Sequence, residues 1–382
     1  MEPIYLDYNA TTPCDPRVVE KMLPYFSEIY GNPANGLHAL GRQAARAVET
    51  AREQVAALIE ARSREILFTS GATESNHLAI IGGAAYAPTN RRKIITCAIE
   101  HKAVLAPCKR LMEQGFELVI LPVDSNGLLR LDELENALDE RTFLISIQAA
   151  NNEIGTLQPI SQIAALAHRH GALVHCDAAQ AAGKIPFNVQ ETGVDLASFS
   201  AHKLYGPKGI GALYMRGGVK SIPLRPLFEG GGQEDGLRAG TSNVPAIVGF
   251  GEACKIAQGA MTEESARLSH YQKHLERGLT QLITGLHVNA VSAPRLPNTT
   301  NFMLPGIEAD LFLLNLPQIQ MSTGSACNTG ALEPSHVLQA IGLSRQQANC
   351  CVRISMGRFT TEQDLNTTFQ EIANCVKKLT PL

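Results

Sequence analysis

The sequence lacks several features that would assign it to a membrane or to nucleic acid. No run of eighteen or more apolar residues occurs, so no segment is predicted to cross a bilayer as a helix. The formal net charge is only -3 over 382 residues, which gives no basic surface for nucleic acid or anionic lipid. The N-terminal segment has no basic stretch followed by an apolar one, and therefore no secretory signal. These absences predict a cytoplasmic protein.

The cysteine pattern also lacks the spacing of a metal site or a disulfide framework. Nine cysteines are spread irregularly and no Cys-x-x-Cys occurs, which indicates reduced thiols in a chain without a secretory signal. Histidine, cysteine and aspartate are concentrated only in residues 168–177. A predicted strand over residues 172–176 separates them and points its side chains alternately to opposite faces. We expect no metal site.

The middle of the chain alternates between strands and helices. Short apolar segments of strand character follow one another between residues 65 and 200, each separated by a segment of helical spacing. This alternation predicts an α/β fold with a mainly parallel sheet covered on both faces. A first strand is predicted over residues 4–12, and a long helix over residues 39–59. After about residue 255 the pattern changes to a long amphipathic helix, residues 263–283, which leads into an α+β region.

Polar clusters follow several of the predicted strands, where ligands of such sheets bind. Residues 69–75 place small and hydroxyl side chains at a helix start, which suits a phosphate or serves as a simple helix cap. Asp177 ends a buried strand and needs a partner for its charge. A protonated ring nitrogen of a cofactor, an arginine or a helix N-terminus would serve.

The tetrapeptide Ser200-Ala201-His202-Lys203 follows another buried strand. A desolvated lysine there can form a Schiff base with a carbonyl, although a lone lysine is more often a surface residue on a turn. Ser200 and His202 are available to bind phosphate. His101 follows the strand at residues 93–97 and could move protons or stack on a flat cofactor. A reactive lysine, a phosphate site and a buried acid are the groups that pyridoxal phosphate requires.

Two residues of the C-terminal region add to this pattern. Cys327 lies in a segment of small, polar residues, 321–330, which offers no packing reason for a thiol and favours a nucleophile. Arg353 interrupts an apolar run, where its guanidinium could bind a substrate carboxylate through two hydrogen bonds. An inter-domain salt bridge is the alternative for Arg353.

With these residues in place, the sequence resembles the pyridoxal-phosphate-dependent cysteine desulfurases of the NifS- and IscS-like branch. The resemblance extends over nearly the whole chain. The segments that carry it are residues 5–13, 31–33, 69–76, 100–101, 151–155, 177–180, 200–211, 230–234, 238–241, 324–327 and 353–360.

The resemblance implies a fold type I pyridoxal-phosphate-dependent transferase. Its large domain, residues 15–255, would contain a mainly parallel seven-stranded sheet. Residues 1–14 and 256–382 would form a smaller α+β domain that carries the cysteine segment. The resemblance also implies a homodimer with each site at the subunit interface, pyridoxal 5'-phosphate as cofactor, and L-cysteine as substrate.

The same resemblance implies roles for residues around the cofactor ring. Lys203 would form the Schiff base and serve as the base for the substrate's α-proton. Asp177 would pair with the pyridinium nitrogen. Gln180 and Asn152 would lie on the side of the phenolate oxygen. His101 would stack on the ring and move protons.

The remaining implied roles concern the phosphate and the substrate. The phosphate would be bound by the Ala72 backbone, Thr73, Ser200, His202 and, from the neighbouring subunit, Thr241. Arg353, with Asn152 nearby, would bind the substrate carboxylate, and Cys327 would take the sulfur as a persulfide, leaving L-alanine.

The sequence departs from the family pattern in three places. Residues 34–38 replace the usual Ser-Ser-x-His, and Ala239 stands where serine is common. The sequence ends at Leu382 without the C-terminal extension that housekeeping members use to dock an iron–sulfur scaffold. The acceptor therefore stays open between iron–sulfur cluster assembly, tRNA thiolation and DNA phosphorothioation.

Other activities are weighed against this one. A selenocysteine lyase or an aminotransferase on the same scaffold would need no cysteine nucleophile, so Cys327 disfavours both. A sulfur-carrier subunit with little turnover would release sulfide only stoichiometrically. A nicotinamide dehydrogenase is poorly supported because the glycine-rich residues 206–211 precede a strand rather than open a helix.

Overall fold

A seven-stranded mixed sheet forms the centre of this computed structural model, which describes residues 3–323 and 334–380. No helix among these residues is long and apolar enough to span a bilayer. The strands of the described residues are β1 Ile4–Tyr5, β2 Ile66–Thr69, β3 Lys93–Cys97, β4 Glu117–Leu121, β5 Thr142–Ser146, β6 Leu173–Asp177, β7 Leu196–Ser200, β8 Gly211–Met215, β9 His287–Val288, β10 Thr299–Met303, β11 Ile319–Gln320 and β12 Cys351–Ser355.

Helices cover both faces of this sheet and make up most of the C-terminal region. In chain order the described α-helices are α1 Pro16–Met22, α2 Pro24–Ser27, α3 Ala39–Leu58, α4 Ala72–His77, α5 Lys102–Met112, α6 Leu131–Ala137, α7 Ile160–Arg169, α8 Val189–Thr192, α9 Val244–Leu282, α10 Ala309–Leu314, α11 His336–Ala340, α12 Arg345–Asn349 and α13 Glu362–Leu379.

The sheet has the order β2-β8-β7-β6-β5-β3-β4. Only β8 runs against the others; the pairs among β3, β4, β5, β6 and β7 are parallel. Strands β3, β5 and β7 are buried along their whole length, as expected for strands covered on both faces. The edge strand β4 is partly exposed. The predicted mainly parallel seven-stranded sheet is confirmed.

Helix α3 shows why the sequence predicted it well. His38 caps its start, because the ring Nδ1 accepts from the Gly41 N–H at 3.0 Å. Ala44, Val48 and Val55 follow at helical spacing and are buried. The buried stripe packs against α9, and the helix ends one residue before the predicted boundary.

Helix α9 corrects one expectation. The sequence analysis began this helix at Glu263, whereas the structure begins it at Val244 after the N-cap Asn243. Most residues from 244 to 257 are buried, and only Glu252 and Lys255 among them are charged, so the sequence shows little of the apolar and polar alternation that marks an amphipathic helix. The change of character near residue 255 is therefore a change of environment within one helix.

The N-terminal segment corrects a second expectation. The predicted strand over residues 4–12 is reduced to the two residues of β1, which pair in parallel with β11. The residues that follow turn toward the central sheet, and the Thr12 N–H donates to the His202 carbonyl at 3.0 Å. This turn brings the N-terminal backbone next to Lys203.

A second hydrophobic core lies outside the large sheet. It comprises Leu6 together with residues between Leu268 and Val376 that pack around β10 and β12. These residues all fall within the segments assigned above to the smaller domain, although the exact boundaries stay a prediction.

Candidate active site

One cavity of about 580 Å³ lies at the carboxyl ends of the central parallel strands. It brings together ten of the residues that the sequence analysis selected. These lining residues are Ala72, Thr73, His101, Asn152, Asp177, Gln180, Ser200, His202, Lys203 and Arg353. Thr241 is exposed and does not line this cavity. Cys327 lies outside the described residues.

A helix start and a close backbone contact form one end of the cavity. Helix α4 begins at Ala72, directly after β2 and Gly71. A side chain on Gly211 would place its Cβ 2.6 Å from the Gly71 Cα, so only glycine lets the two chains approach here. The N–H groups of the first helical turn have no carbonyl within the helix to bind, and they suit an anion.

The Lys203 side chain is held at the opposite side by backbone oxygens. Residues Ala201–Lys203 form a short 3-10 turn after β7. The Lys203 Nζ donates to the carbonyl of Asn9 at 2.6 Å and to that of Ala10 at 2.8 Å. The N-terminal turn therefore positions the amine beside the cavity.

Asp177 is held by neutral donors. Its Oδ2 accepts from the Asn76 Nδ2 at 2.8 Å, and its Oδ1 accepts from the Ala179 N–H at 3.0 Å. The sequence analysis left an arginine or a helix N-terminus open as partner, and these two hydrogen bonds are of neither kind. Because both donors are neutral, the negative charge of this 8% exposed side chain remains available to a cation in the cavity.

The two histidines of the site differ in their hydrogen-bond partners. His101 is the N-cap of α5, and its Nδ1 accepts from the Ala103 N–H at 3.1 Å. In the neutral ring this leaves the proton on Nε2. His202 contacts the Thr11 Oγ1 through Nδ1 at 3.1 Å. Burial, with Lys203 and Lys208 nearby, lowers the pKa of His202 to about 4.

A buried acid that the sequence analysis did not select lies under His101. Glu100 is fully buried, and its Oε1 accepts from the Gln148 N–H at 2.7 Å and the Cys97 Sγ at 3.2 Å. Its Oε2 has no hydrogen-bond partner. Burial raises the pKa of Glu100 to about 8. Glu100 is thus a neutral acid at pH 7 beside the proposed proton carrier.

Arg353 forms an ion pair, although its partner Asp7 belongs to the same predicted domain and not to the other one. One terminal nitrogen donates to Asp7 at 2.5 Å and the other to the Asn152 carbonyl at 3.0 Å. Its Nε is buried without a hydrogen-bond partner, and the residue lines the cavity. Binding of a substrate carboxylate by Arg353 stays a prediction.

The described residues on either side of positions 324–333 contact residues that line the cavity or are adjacent in sequence to lining residues. Ser322 exchanges two backbone hydrogen bonds with Arg353. On the other side, the Ser335 Oγ donates to the buried Glu153 Oε2 at 2.5 Å, and the His336 Nε2 contacts the Glu100 carbonyl at 2.9 Å. Ser322 is thus held by Arg353, and Ser335 and His336 are held by Glu153 and Glu100.

Several functional residues of the site were missed because a side-chain role cannot be read from a motif alone. Asn9 and Asn76 lie inside segments that carry the family resemblance, yet nothing in the sequence indicates that Asn76 holds Asp177. Asn9 contributes a backbone carbonyl to Lys203, which no side-chain pattern signals. Gln148 and Glu100 are paired only by the alignment of two neighbouring strands.

The residues present fit pyridoxal 5'-phosphate. The cavity offers an amine, a carboxylate with neutral partners, a histidine and a helix start, and the buried Arg353 Nε has no partner. The opening of α4 and the side chains of Ser200 and His202 would hold the phosphate. Lys203 would hold the carbonyl end and Asp177 the ring nitrogen.

Fold and cavity together define a fold type I pyridoxal-phosphate-dependent enzyme. The aminotransferase class-V family matches residues 4–367, and the chain belongs to this family. Within it, the chain is 45% identical over 377 residues to the cysteine desulfurase IscS of Anaeromyxobacter sp. (strain Fw109-5), covering 99% of this chain and 93% of that protein.

Solved structures agree with this assignment. A NifS-like protein that is 41% identical superposes with a TM-score of 0.91, covering 99% of this chain and all of the other. A structure of SspA in complex with cysteine, 38% identical, superposes with a TM-score of 0.82 over 94% of this chain and all of the other.

Proposed function

We infer that this protein is a cysteine desulfurase that uses pyridoxal 5'-phosphate to convert L-cysteine to L-alanine and leaves the sulfur on Cys327. The observation that carries this proposal is the single cavity in which Lys203, Asp177, His101 and Arg353 meet. The cysteine desulfurase relatives and the cysteine-bound SspA structure support the choice of substrate.

The chain's own residues divide the work around the cofactor. Asp177 would hold the ring nitrogen in its protonated form, because a carboxylate with neutral partners stabilises an adjacent cation. The cofactor, when bound, supplies a sink for the electrons of the substrate's α-carbon. Lys203 would hold the carbonyl end of the cofactor and would serve as the base for the substrate's α-proton.

Substrate orientation falls to Arg353 and Asn152. The guanidinium is already fixed by Asp7 and the Asn152 carbonyl, so binding a carboxylate costs little side-chain entropy. Its Nε is a buried donor without a hydrogen-bond partner. His101, with the proton on Nε2, would stack on the ring and move protons to and from the substrate.

The sulfur step requires a second thiol. The Cys327 thiolate attacks the substrate sulfur, so that one carbon–sulfur bond breaks and one sulfur–sulfur bond forms. The products are L-alanine and a Cys327 persulfide, with no external oxidant or reductant. The anchoring of Ser322 and Ser335 beside Arg353 and Glu153 supports delivery of Cys327 to this cavity.

A homodimer would complete the site. Thr241 is exposed and lies outside its own subunit's cavity, which supports a role in the neighbouring subunit's phosphate site. The persulfide would pass to a protein acceptor. An iron–sulfur scaffold, a tRNA-thiolation relay and a DNA-phosphorothioation partner remain the acceptor classes, and a cytoplasmic location stays a prediction.

The proposal is tested by following L-alanine formation from L-cysteine in the purified protein. Wild type should be yellow and should form alanine catalytically when a reductant removes the persulfide. Lys203→Ala should lose the link to the cofactor that borohydride traps. Cys327→Ala should keep the colour but form no persulfide. Alanine release by Cys327→Ala at the wild-type rate would refute the role of that thiol and favour an enzyme without a cysteine nucleophile.

A further inference from the structure

Lys184 lies behind the cavity, at a position to which the sequence analysis gave no role. Its Nζ donates to the Gln180 Oε1 at 2.6 Å and to the Asn9 Oδ1 at 3.0 Å. It lines a separate crevice of about 20 Å³ rather than the main cavity. Lys184 therefore reaches the cavity through these two amide side chains.

The contacts of Gln180 fix which end of its amide faces which neighbour. Its Nε2 donates to the Asn9 carbonyl at 2.9 Å, while its Oε1 accepts from Lys184. A side-chain amine that contacts two carbonyl oxygens can only donate. Because Gln180 is buried, its Oε1 would lose its donor without Lys184, and an orphaned buried acceptor costs free energy.

Asn9 connects the same network to the reactive amine. Its backbone carbonyl accepts from both Gln180 and Lys203. Its side chain accepts from Lys184 and Asn298 and donates to the Asn152 carbonyl and the Thr299 Oγ1. Lys184 thus holds Asn9, whose backbone carbonyl contacts the Lys203 amine, and Gln180, which lines the cavity.

We propose that Lys184 is a positioning residue that fixes the Gln180 amide with its N–H toward the bound cofactor and holds Asn9 against Lys203. This inference rests on the proposed function, since the amide would act on a cofactor bound in the cavity that Gln180 lines. Without Lys184, the Gln180 oxygen would turn toward the cavity to regain a donor. A cofactor bound there would then meet the amide oxygen in place of an N–H.

The charge around Lys184 does not alter this role. Burial lowers the pKa of Lys184 well below its usual range, and the neighbouring cations Lys203 and Arg353 lower it further. A neutral amine still has two N–H groups, and both of its partners are oxygens. Lys184 therefore donates to Gln180 and Asn9 in either protonation state.

The test is a pH titration of the absorbance of the bound cofactor. An N–H directed at an anionic oxygen favours the deprotonated chromophore, so its loss in Lys184→Met should raise the midpoint by about one pH unit, a tenfold change in the proton equilibrium. Lys184→Arg keeps only donors and should titrate near the wild type. If Lys184→Met does not fold, Lys184→Gln takes its place in the titration. A glutamine amide can accept as well as donate, so it no longer fixes which end of the Gln180 amide faces it.

Two further variants separate positioning from a general effect. Lys93 is a buried lysine far from the site that donates to the Ala137 carbonyl, so Lys93→Met should leave the midpoint unchanged. In a Gln180→Met background, Lys184→Met should add little further shift, since the amide through which it acts is gone.

The outcomes distinguish this inference from the proposed function. A wild-type protein that takes up no pyridoxal phosphate refutes both. A yellow wild type whose midpoint is matched by folded Lys184→Met refutes only the role of Lys184. If Lys184→Met shifts the midpoint equally with and without Gln180, Lys184 acts by its charge rather than by positioning. That result would also overturn the positioning role.

Discussion

Asp177 is held by a backbone N–H and a neutral amide rather than by an opposite charge. It accepts from the Ala179 N–H and from Asn76, while the Lys203 amine donates to two backbone carbonyls. An ion pair with an arginine or lysine would stabilise the carboxylate before any ligand arrives. At the scale of single residues, the Asp177 charge therefore stays available for a cation that the cavity binds.

Glu100 gives a pH-dependent prediction. Its pKa is raised from 4.5 to about 8 by burial, so the folded protein holds a proton that the unfolded chain has already released. The contribution of Glu100 to stability is therefore fully present below pH 4.5 and is lost as the pH rises toward 8. Glu100→Gln mimics the protonated acid. Relative to wild type, this variant should gain about 1 kcal/mol in free energy of unfolding per pH unit over that range.

Urea unfolding of both proteins at pH 5.5, 7 and 8.5 measures this difference. The exposed Glu140 is the matched control, and Glu140→Gln should track the wild type at every pH. A constant difference between Glu100→Gln and wild type from pH 5.5 to 8.5 would mean that Glu100 is ionised in the folded protein.

At the scale of elements, the chain after β7 is braced by one arginine. Arg358 donates to Asp15 at 2.8 Å and to Glu264 at 2.5 Å, and its guanidinium lies 4.1 Å from the centroid of the Tyr205 ring. Tyr205 has a positive φ of 65°, a conformation that non-glycine residues rarely adopt. Arg358 thereby joins α1, α9 and the turn that carries Lys203.

Arg358→Lys should destabilise the protein by roughly 2 kcal/mol, because lysine can neither reach both carboxylates with a planar fork nor stack on Tyr205 in the same way. Thermal or urea unfolding measures the loss. Arg141 is the control: it pairs with Asp139 and Glu117 at the surface with a side chain 59% exposed, so Arg141→Lys should unfold at nearly the same temperature and urea concentration as wild type. Equal effects of the two substitutions would contradict the bracing role.

The same scale shows how far sequence could predict the fold. Helix α3 and strands β2, β3 and β5 to β7 follow from apolar spacing, because each has a defined buried face or is buried throughout; β4 is apolar enough to be predicted although it is partly exposed. The first half of α9 and the turn after β1 could not be predicted in this way. The first half of α9 is almost wholly apolar in sequence, so its helical period is not visible, and the turn is shaped by tertiary contacts with residues near 202–205.

For the site, sequence could predict which strand ends carry chemistry, and ten of the chosen residues line one cavity. It could not predict the connections between them. The Asn76–Asp177 and Lys184–Gln180 contacts depend on side-chain geometry that spacing does not encode.

At the scale of the whole molecule, the active site depends on segments far apart in the chain. Asn9, Lys203 and Arg353 come from the start, middle and end of the sequence. Lys203 donates to the Asn9 carbonyl, and both the Asn9 side chain and Arg353 donate to the Asn152 carbonyl. The proposed dimer extends this dependence to a second subunit through Thr241.

A hybrid dimer tests the contribution of Thr241. One subunit would carry Lys203→Ala and the other Thr241→Ala. If Thr241 serves the neighbouring site, the hybrid has one site with both defects and one intact site, which should retain cofactor as tightly as wild type. If Thr241 serves its own subunit, no intact site forms. Cofactor retention on dialysis of hybrids purified with two different tags distinguishes the two cases.

The most direct test of the central claim is the mass of the Cys327 peptide after brief reaction of the purified protein with L-cysteine. Wild type should gain one sulfur atom on Cys327, with L-alanine formed in equal amount. Lys203→Ala should gain none. Cys254→Ala, which removes a buried cysteine of the large core, should behave as wild type. Alanine formation without added sulfur on Cys327, or sulfur on another cysteine in its place, would contradict the account.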